Sequence, residues 1–187
     1  MARAVLLSRA TMMRRTKRGF TLTELAAVVA IIGILAVIGV ASYRKLILSS
    51  KVTEAKNMIG AIRIAEEDYK AERGMYLDLS SAYCPSNGAD QKKWAWENPS
   101  CAGNAWAQLP VHADGPVQFG YKVFAGTKVQ QPADPFPAAL LSVGSYAGRE
   151  MPYYIVHARA DLSPGGDFTE VAGSSFENTI RTLHEGE

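Results

Sequence analysis

One carboxylate, Glu24, lies near the start of a long apolar stretch. Residues 20–41 contain no other charged side chain, and the next charge along the chain is Arg44. An acidic residue in an apolar segment of membrane length is unfavourable unless it has a partner, which makes Glu24 a candidate functional residue. If Glu24 is considered by itself, there is an alternative. It lies about one helical turn inside the apolar segment, and its carboxylate could reach back to the membrane interface.

The segment that carries Glu24 is long enough to cross a membrane as a helix. Residues 20–41 would extend about 33 Å, at about 1.5 Å per residue, and a bilayer core is about 30 Å thick. Arg and Lys residues cluster directly before it, at Arg14, Arg15, Lys17 and Arg18. This bias predicts a cytoplasmic N-terminus and an exported remainder.

The junction between the basic cluster and the apolar segment resembles the cleavage site of the type IV pilins and the type II secretion pseudopilins. It has KRG at residues 17–19 followed by FTLTEL at residues 20–25. The resemblance implies that a prepilin peptidase cuts between Gly19 and Phe20 and that the new N-terminal Phe20 is N-methylated. It also implies that Glu24 is the filament-assembly residue, which pairs with the protonated Phe20 amine of a neighbouring subunit.

The resemblance extends to about Tyr76 and includes one departure. Many pilins carry a helix-breaking proline where this chain has Ala41. Any unwinding during assembly would then depend on Gly33 and Gly39, because glycine weakens a helix by about 1 kcal/mol relative to alanine.

The charge balance depends on the leader. The full chain has a formal charge of +2, with 20 basic and 18 acidic residues, and six of the basic residues precede Gly19. The remainder has 14 basic and 18 acidic side chains, a net charge of −4. A general nucleic-acid binder would be expected to keep a basic face, so that class is disfavoured.

The sequence predicts five consecutive segments. Residues 1–19 form a leader that is removed, 20–41 a hydrophobic transmembrane and assembly helix, and 42–74 the amphipathic half of the same helix. Residues 75–116 form a connecting loop, and 117–187 carry the sheet of a globular head. The amphipathic half shows apolar residues at spacings of three and four, and no proline interrupts residues 20–73. We therefore expect one continuous helix of about 80 Å, capped by Gly74.

The exported part contains both cysteines, Cys84 and Cys101. Oxidation is permitted there, and their spacing matches no CxxC metal or redox motif, so a disulfide is predicted. Two free thiols are the alternative. Trp94, Trp96 and Trp106 lie between or near the cysteines, beside two lysines. Such a basic and aromatic group can bind single-stranded nucleic acid, but aromatic packing onto the domain is the favoured interpretation.

The C-terminal part favours strands. Candidate strands are residues 117–124, 140–146, 153–158 and 168–174, joined by turns too short for parallel crossovers. A long helix followed by an antiparallel sheet of three to four strands is an α+β arrangement, and the resemblance implies the pilin fold.

No catalytic or cofactor motif is present. His112, His157 and His184 are scattered, and no HExxH, GxSxG or glycine-rich phosphate loop occurs. Calcium binding by Asp161, Asp167 and Glu170 is an alternative to a plain turn, but the pattern lacks alternating oxygen ligands. We therefore expect neither an enzyme nor a cofactor or metal site.

The resemblance implies a structural subunit of a bacterial type IV pilus, for surface adhesion and twitching motility. A minor pilin or a type II secretion pseudopilin is the alternative, followed by a membrane-anchored periplasmic binding protein or a DNA-uptake pilin. The implied partners are further copies of the chain, the prepilin peptidase and methyltransferase, and an assembly platform. The implied location is the inner membrane before assembly and the cell surface afterwards.

Overall fold

The computed structural model describes residues 19–96, 105–132, 136–137, 139–141, 143–162 and 167–185. The chain divides into two compact units, Met1–Ala41 and Ser42–Glu187. The predicted leader, apart from Gly19, and Cys101 lie outside the described residues.

One helix, α1, runs from Leu22 to Arg73. It ends where Gly74 takes a positive φ of 79°, and the Gly74 N–H donates to the Lys70 carbonyl at 2.8 Å. Glycine adopts this left-handed conformation without a steric penalty, which is why it commonly ends helices. The predicted continuous helix and its glycine cap are confirmed.

In the second unit, α1 buries one stripe of side chains against a sheet. The buried members recur at spacings of three and four: Val52, Ala55, Met58, Ile59, Ile62 and Ala65. This is the amphipathic pattern of a helix with one face in a core. Sheet residues such as Tyr121, Val123 and Val156 join the same cluster.

The sheet has five strands: β1 (Leu79–Cys84), β2 (Gly120–Lys128), β3 (Glu150–Asp161), β4 (Phe168–Ser174) and β5 (Arg181–Leu183). Each pairs antiparallel with the next in chain order. The structure confirms the α+β fold with a long N-terminal helix and an antiparallel sheet. The number of strands is five rather than three to four.

The two unpredicted strands have weak sequence signals. β1 contains two serines and an alanine, and its four central residues are exposed or half-buried. β5 has only three residues, fewer than a periodic pattern needs. The predicted strand 168–174 matches β4, 153–158 lies inside β3, and 117–124 begins three residues before β2.

The predicted strand 140–146 is wrong. Its described residues form turns and a short 3-10 helix, Val143–Ser145. Leu140, Leu141 and Val143 are instead buried in a second core cluster with Ile155 and other residues of the sheet. Their apolar character reflects a layer that covers the sheet. We call the sheet face that packs on α1 the inner face, and the face under this layer the outer face.

Candidate assembly site

Glu24 closes the first turn of its own helix. The Thr21 N–H donates to Glu24 Oε2 at 3.0 Å, and the Thr21 hydroxyl donates to the same oxygen at 2.8 Å. The Glu24 N–H in turn donates to Thr21 Oγ1 at 3.2 Å. These reciprocal bonds form a capping box, which satisfies N–H groups that a helix start leaves without partners.

The capping box leaves part of the carboxylate available. All three of its bonds use Glu24 Oε2 or the Glu24 N–H. Within the part of the chain that the structure describes, Glu24 Oε1 accepts no hydrogen bond, and the side chain is exposed. A negative group in the first turn also interacts favourably with the helix dipole. Glu24 is thus held in a defined position while one oxygen can accept a further donor.

The predicted cleavage site precedes the helix. Gly19 and Phe20 lie outside α1 and are exposed, with Phe20 at 84%. A methyl group added at Gly19 would meet no atom within 4 Å. The peptide bond between these residues is therefore sterically accessible and is not part of the helical hydrogen-bond ladder.

The N-terminal part of α1 exposes a continuous apolar surface. Its large exposed side chains are Leu22, Leu25, Val28, Val29, Ile31, Ile32, Ile34, Leu35, Val37, Ile38 and Val40. By length and composition, α1 contains a candidate membrane span. Exposed apolar surface on this scale marks contact with lipid or with other protein.

The tryptophan region of the head is held by internal contacts. The rings of Trp96 and Trp106 pack edge to face with centroids 5.4 Å apart, and the Trp94 Nε1–H donates to Asp90 Oδ2 at 2.9 Å. Lys93 forms an ion pair with Glu54 at 3.1 Å. Trp96 and Trp106 thus pack on the core, and Lys93 joins this part of the chain to α1, as the packing interpretation predicted.

The cysteine and metal predictions are tested only in part of the chain. Cys84 is disulfide-bonded, but Cys101 lies outside the described residues, so the Cys84–Cys101 pairing stays a prediction. No group of three or more His, Cys, Asp or Glu among the described residues is arranged to hold a metal ion. The calcium alternative involves Asp161, Asp167 and Glu170. The turn between them, residues 163–166, lies outside the described residues.

A long helix whose N-terminal part exposes an apolar surface, on a chain with an antiparallel sheet, fits the class of membrane-anchored precursor proteins. The family model described as a prokaryotic N-terminal methylation motif matches residues 14–40.

Two relatives narrow this class. The chain is 36% identical over 104 residues to the type IV major pilin protein PilA of Myxococcus xanthus, covering 52% of this chain and 46% of that protein. It is 38% identical over 65 residues to the fimbrial protein EcpC of Eikenella corrodens, covering 35% of this chain and 42% of that protein. The chain thus spans less than half the length of each relative. No solved structure matches. The motif and both relatives support membership of the type IV pilin family.

Proposed function

We propose that this chain is the precursor of a type IV pilus subunit, which polymerises through its N-terminal helix after cleavage between Gly19 and Phe20. The observation that carries the proposal is the exposed apolar surface of α1, with a single carboxylate fixed at its start. The similarity to two pilus proteins supports it. Such a surface is stable in a bilayer before assembly and among copies of the same helix afterwards.

In this proposal, Glu24 selects the register of assembly. Cleavage creates an α-amine at Phe20, and N-methylation leaves it protonable. The amine of one subunit donates to the free Glu24 oxygen of its neighbour, while Thr21 keeps the carboxylate in place. A charge-assisted bond of this kind is stronger than a neutral one, and it compensates two charges that would otherwise lie unpaired among apolar helices.

The proposal also assigns location and partners. The precursor resides in the inner membrane with its leader in the cytoplasm, where a prepilin peptidase and methyltransferase process it. An assembly platform then transfers it into a helical homopolymer on the cell surface, which serves adhesion and twitching motility. The candidate membrane span and the basic residues before it support this arrangement.

Two measurements test the proposal. Mass spectrometry of the mature protein should give an N-terminus at methylated Phe20, and an intact leader would identify a membrane-anchored protein that does not assemble. The second measurement is the fraction of processed subunit recovered in sheared fibres. Glu24→Gln should lower this fraction at least tenfold, because the amide carries no charge for the amine.

A matched control is available on the same helix. Glu72 is exposed near the C-terminal end of α1, and Glu72→Gln removes one acid without touching the assembly site. It should process and assemble like the wild type. Normal fibre assembly by Glu24→Gln, with processing intact, would refute the role of the carboxylate.

A minor pilin or a type II secretion pseudopilin is the second candidate, because the resemblance at residues 17–25 is shared by both groups. Quantifying this polypeptide in purified surface fibres distinguishes a main pilus subunit from a minor component. A pilus subunit of the main type should be the bulk protein of those fibres, whereas a minor component should be present at a few copies per fibre.

A further inference from the structure

The outer face of the sheet carries a group of polar residues that are not part of the candidate assembly site at the start of α1. We call it the polar cluster: Tyr83 on β1, Lys122 on β2, His157 and Arg159 on β3, and Glu170 on β4. His157 is fully buried and Glu170 is 8% exposed. Buried polar groups normally have hydrogen-bond partners, so the bonding in this cluster is informative.

Arg159 fastens the chain that follows β1 to the sheet. Its Nε–H donates to the Asn87 carbonyl at 2.9 Å. Its guanidinium carbon lies 4.2 Å from the centroid of the Tyr83 ring and 4.8 Å from that of Phe168. A cation over an aromatic face is stabilised by the ring quadrupole. Arg159 therefore joins two strands to residues 85–91, which we call the 85–91 loop.

The 85–91 loop has a second contact with β3. The Asp161 N–H donates to the Gly88 carbonyl at 2.7 Å. Gly88 has a positive φ of 73°, and a Cβ at this position would meet the Arg159 carbonyl oxygen. The loop thus lies directly against the backbone at the end of β3.

Glu170 lies opposite Arg159 but does not bind it. The two residues are Cα partners in the β3–β4 register, and directly opposed side chains on one sheet face have Cβ atoms about 4.5–5.5 Å apart. Glu170 nevertheless accepts no hydrogen bond from the described residues. Its Oε1 lies 3.8 Å from His157 Nε2, which is beyond hydrogen-bond distance. The arginine is held by the rings and the loop instead.

Glu170 is the member of the polar cluster that changes charge near neutral pH. Burial raises its pKa to about 7, although Arg159 and His184 act in the opposite direction. Burial, Arg159 and Lys122 lower the pKa of His157 to about 3, so this ring is neutral. Tyr83 shares a hydrogen bond with its Nδ1 at 3.0 Å.

The remaining neighbours do not change this conclusion. Lys122 lies over the Tyr83 ring at 4.5 Å, and burial, followed by repulsion from Arg159, lowers its pKa. His184 follows β5, and its Nδ1 lies 3.2 Å from the Phe168 carbonyl oxygen. From the covering layer, Phe136 packs on the His157 ring at 5.1 Å and carries no charge.

We propose that Arg159 is a pH-dependent latch on the 85–91 loop. While Glu170 is protonated, Arg159 holds the loop through its hydrogen bond to Asn87 and stacks on Tyr83 at the end of β1. When Glu170 loses its proton to water, the buried carboxylate has no donor within hydrogen-bond distance among the described residues, since His157 Nε2 lies 3.8 Å from Oε1. It then draws Arg159 into an ion pair across β3 and β4. The loop then loses the hydrogen bond from Arg159 to Asn87, and the Tyr83 ring next to the loop loses its stacked cation.

The energetic basis is the difference between two partners for one guanidinium. A buried, unpaired carboxylate is strongly unfavourable, whereas an arginine–carboxylate pair provides charge-assisted hydrogen bonds. The existing bond from Arg159 to a neutral carbonyl is weaker. Arg159 therefore binds the Asn87 carbonyl of the loop at acidic pH and forms the ion pair with Glu170 at alkaline pH.

Hydrogen exchange of the full chain in detergent micelles tests the latch between pH 6 and pH 8. Protection factors, corrected for the intrinsic pH dependence of exchange, should fall at least fivefold in the 85–91 loop of the wild type. Glu170→Gln should keep the loop protected at both pH values. Glu66→Gln is the matched control, because Glu66 is a buried acid on α1 whose pKa is also about 7; it should retain the wild-type fall.

A second variant addresses Arg159 directly. Arg159→Lys keeps the positive charge but removes the Nε donor and the planar group, so the loop should already be poorly protected at pH 6. Amides in residues 55–65 of α1 serve as an internal reference for global stability in the Glu66→Gln variant, because ionisation of Glu66 itself lowers the stability of the wild type as the pH rises through about 7. A wild-type loop with unchanged protection, a Glu170→Gln variant with the wild-type fall, or, in the Glu66→Gln variant, a loss in residues 55–65 equal to that in the loop would each overturn the proposal.

Discussion

Glu66 is a buried acid that should make the head less stable as the pH rises. Its side chain is 0% exposed, and Oε2 accepts the Leu77 N–H at 2.9 Å. Oε1 has no partner among the described residues. Burial raises the pKa of Glu66 from 4.5 to about 7, with Asp78 and Glu67 contributing and the Leu77 N–H opposing.

The sign of the pH effect follows from this shift. The unfolded chain ionises near the ordinary pKa, whereas the folded chain holds the proton until about pH 7. The stabilising contribution is therefore complete below about pH 4.5 and is lost as the pH rises through about 7. One pKa unit corresponds to about 1.4 kcal/mol, so ionisation of Glu66 costs the fold about 3 kcal/mol at most.

The perturbation is Glu66→Gln, which keeps an acceptor for Leu77 and cannot ionise. At pH 8 the variant should be more stable than the wild type by about 1 to 3 kcal/mol. For a domain of this size that corresponds to about 2 to 12 °C in Tm. At pH 5 the advantage should disappear.

The assay is thermal unfolding of the full chain in detergent, followed by circular dichroism at pH 5, 6, 7 and 8. Glu72→Gln, an exposed acid on the same helix, should follow the wild-type curve. If Glu66→Gln lost stability with pH in parallel with the wild type, the buried proton at this position would be ruled out.

Two further predictions concern packing. Ile59 is fully buried under the sheet, whereas Ile64 on the same helix is 67% exposed. Ile59→Ala should lower the unfolding free energy by about 2 to 5 kcal/mol and Ile64→Ala by less than about 0.5 kcal/mol. Denaturant unfolding measures both values. Equal losses would contradict the assigned helix face. Gly88→Ala should cost about 2 kcal/mol or more, because the new Cβ meets a carbonyl at a positive φ. Gly144→Ala, where a Cβ meets nothing within 4 Å, should leave Tm within about 2 °C, and a similar loss in both variants would contradict the close approach at Gly88.

The helical half of the fold follows directly from local sequence signals. Spacings of three and four over residues 52–65 define the face that packs on the sheet, and Gly74 supplies the left-handed residue that ends the helix. These signals are short-range and periodic, so one sequence suffices to read them. Local patterns do not suffice to predict the whole sheet. The positions of β1 and β5 are set by pairing with neighbouring strands rather than by alternation of their own residues.

The candidate assembly site was predictable in its residues but not in its geometry. A lone carboxylate in an apolar segment is conspicuous, which is why Glu24 was identified. Its capping box with Thr21 was also visible, since Thr-x-x-Glu before an apolar run is a known helix-start signature. The structure adds the geometry, since both the N–H and the hydroxyl of Thr21 donate to Glu24 Oε2.

The polar cluster was hidden from the sequence because β3 is buried on both faces. A half-buried strand alternates apolar and polar residues, and a polar residue in it is expected to face water. Tyr153 to Ala158 are all buried, since residues near Leu140 cover the outer face. Phe136 packs on the His157 ring and belongs to the same buried cluster as Leu140, Leu141 and Val143 of the wrongly predicted strand. A polar residue under such a layer keeps its neutral form or finds a partner, and which occurs depends on long-range contacts that no local pattern encodes.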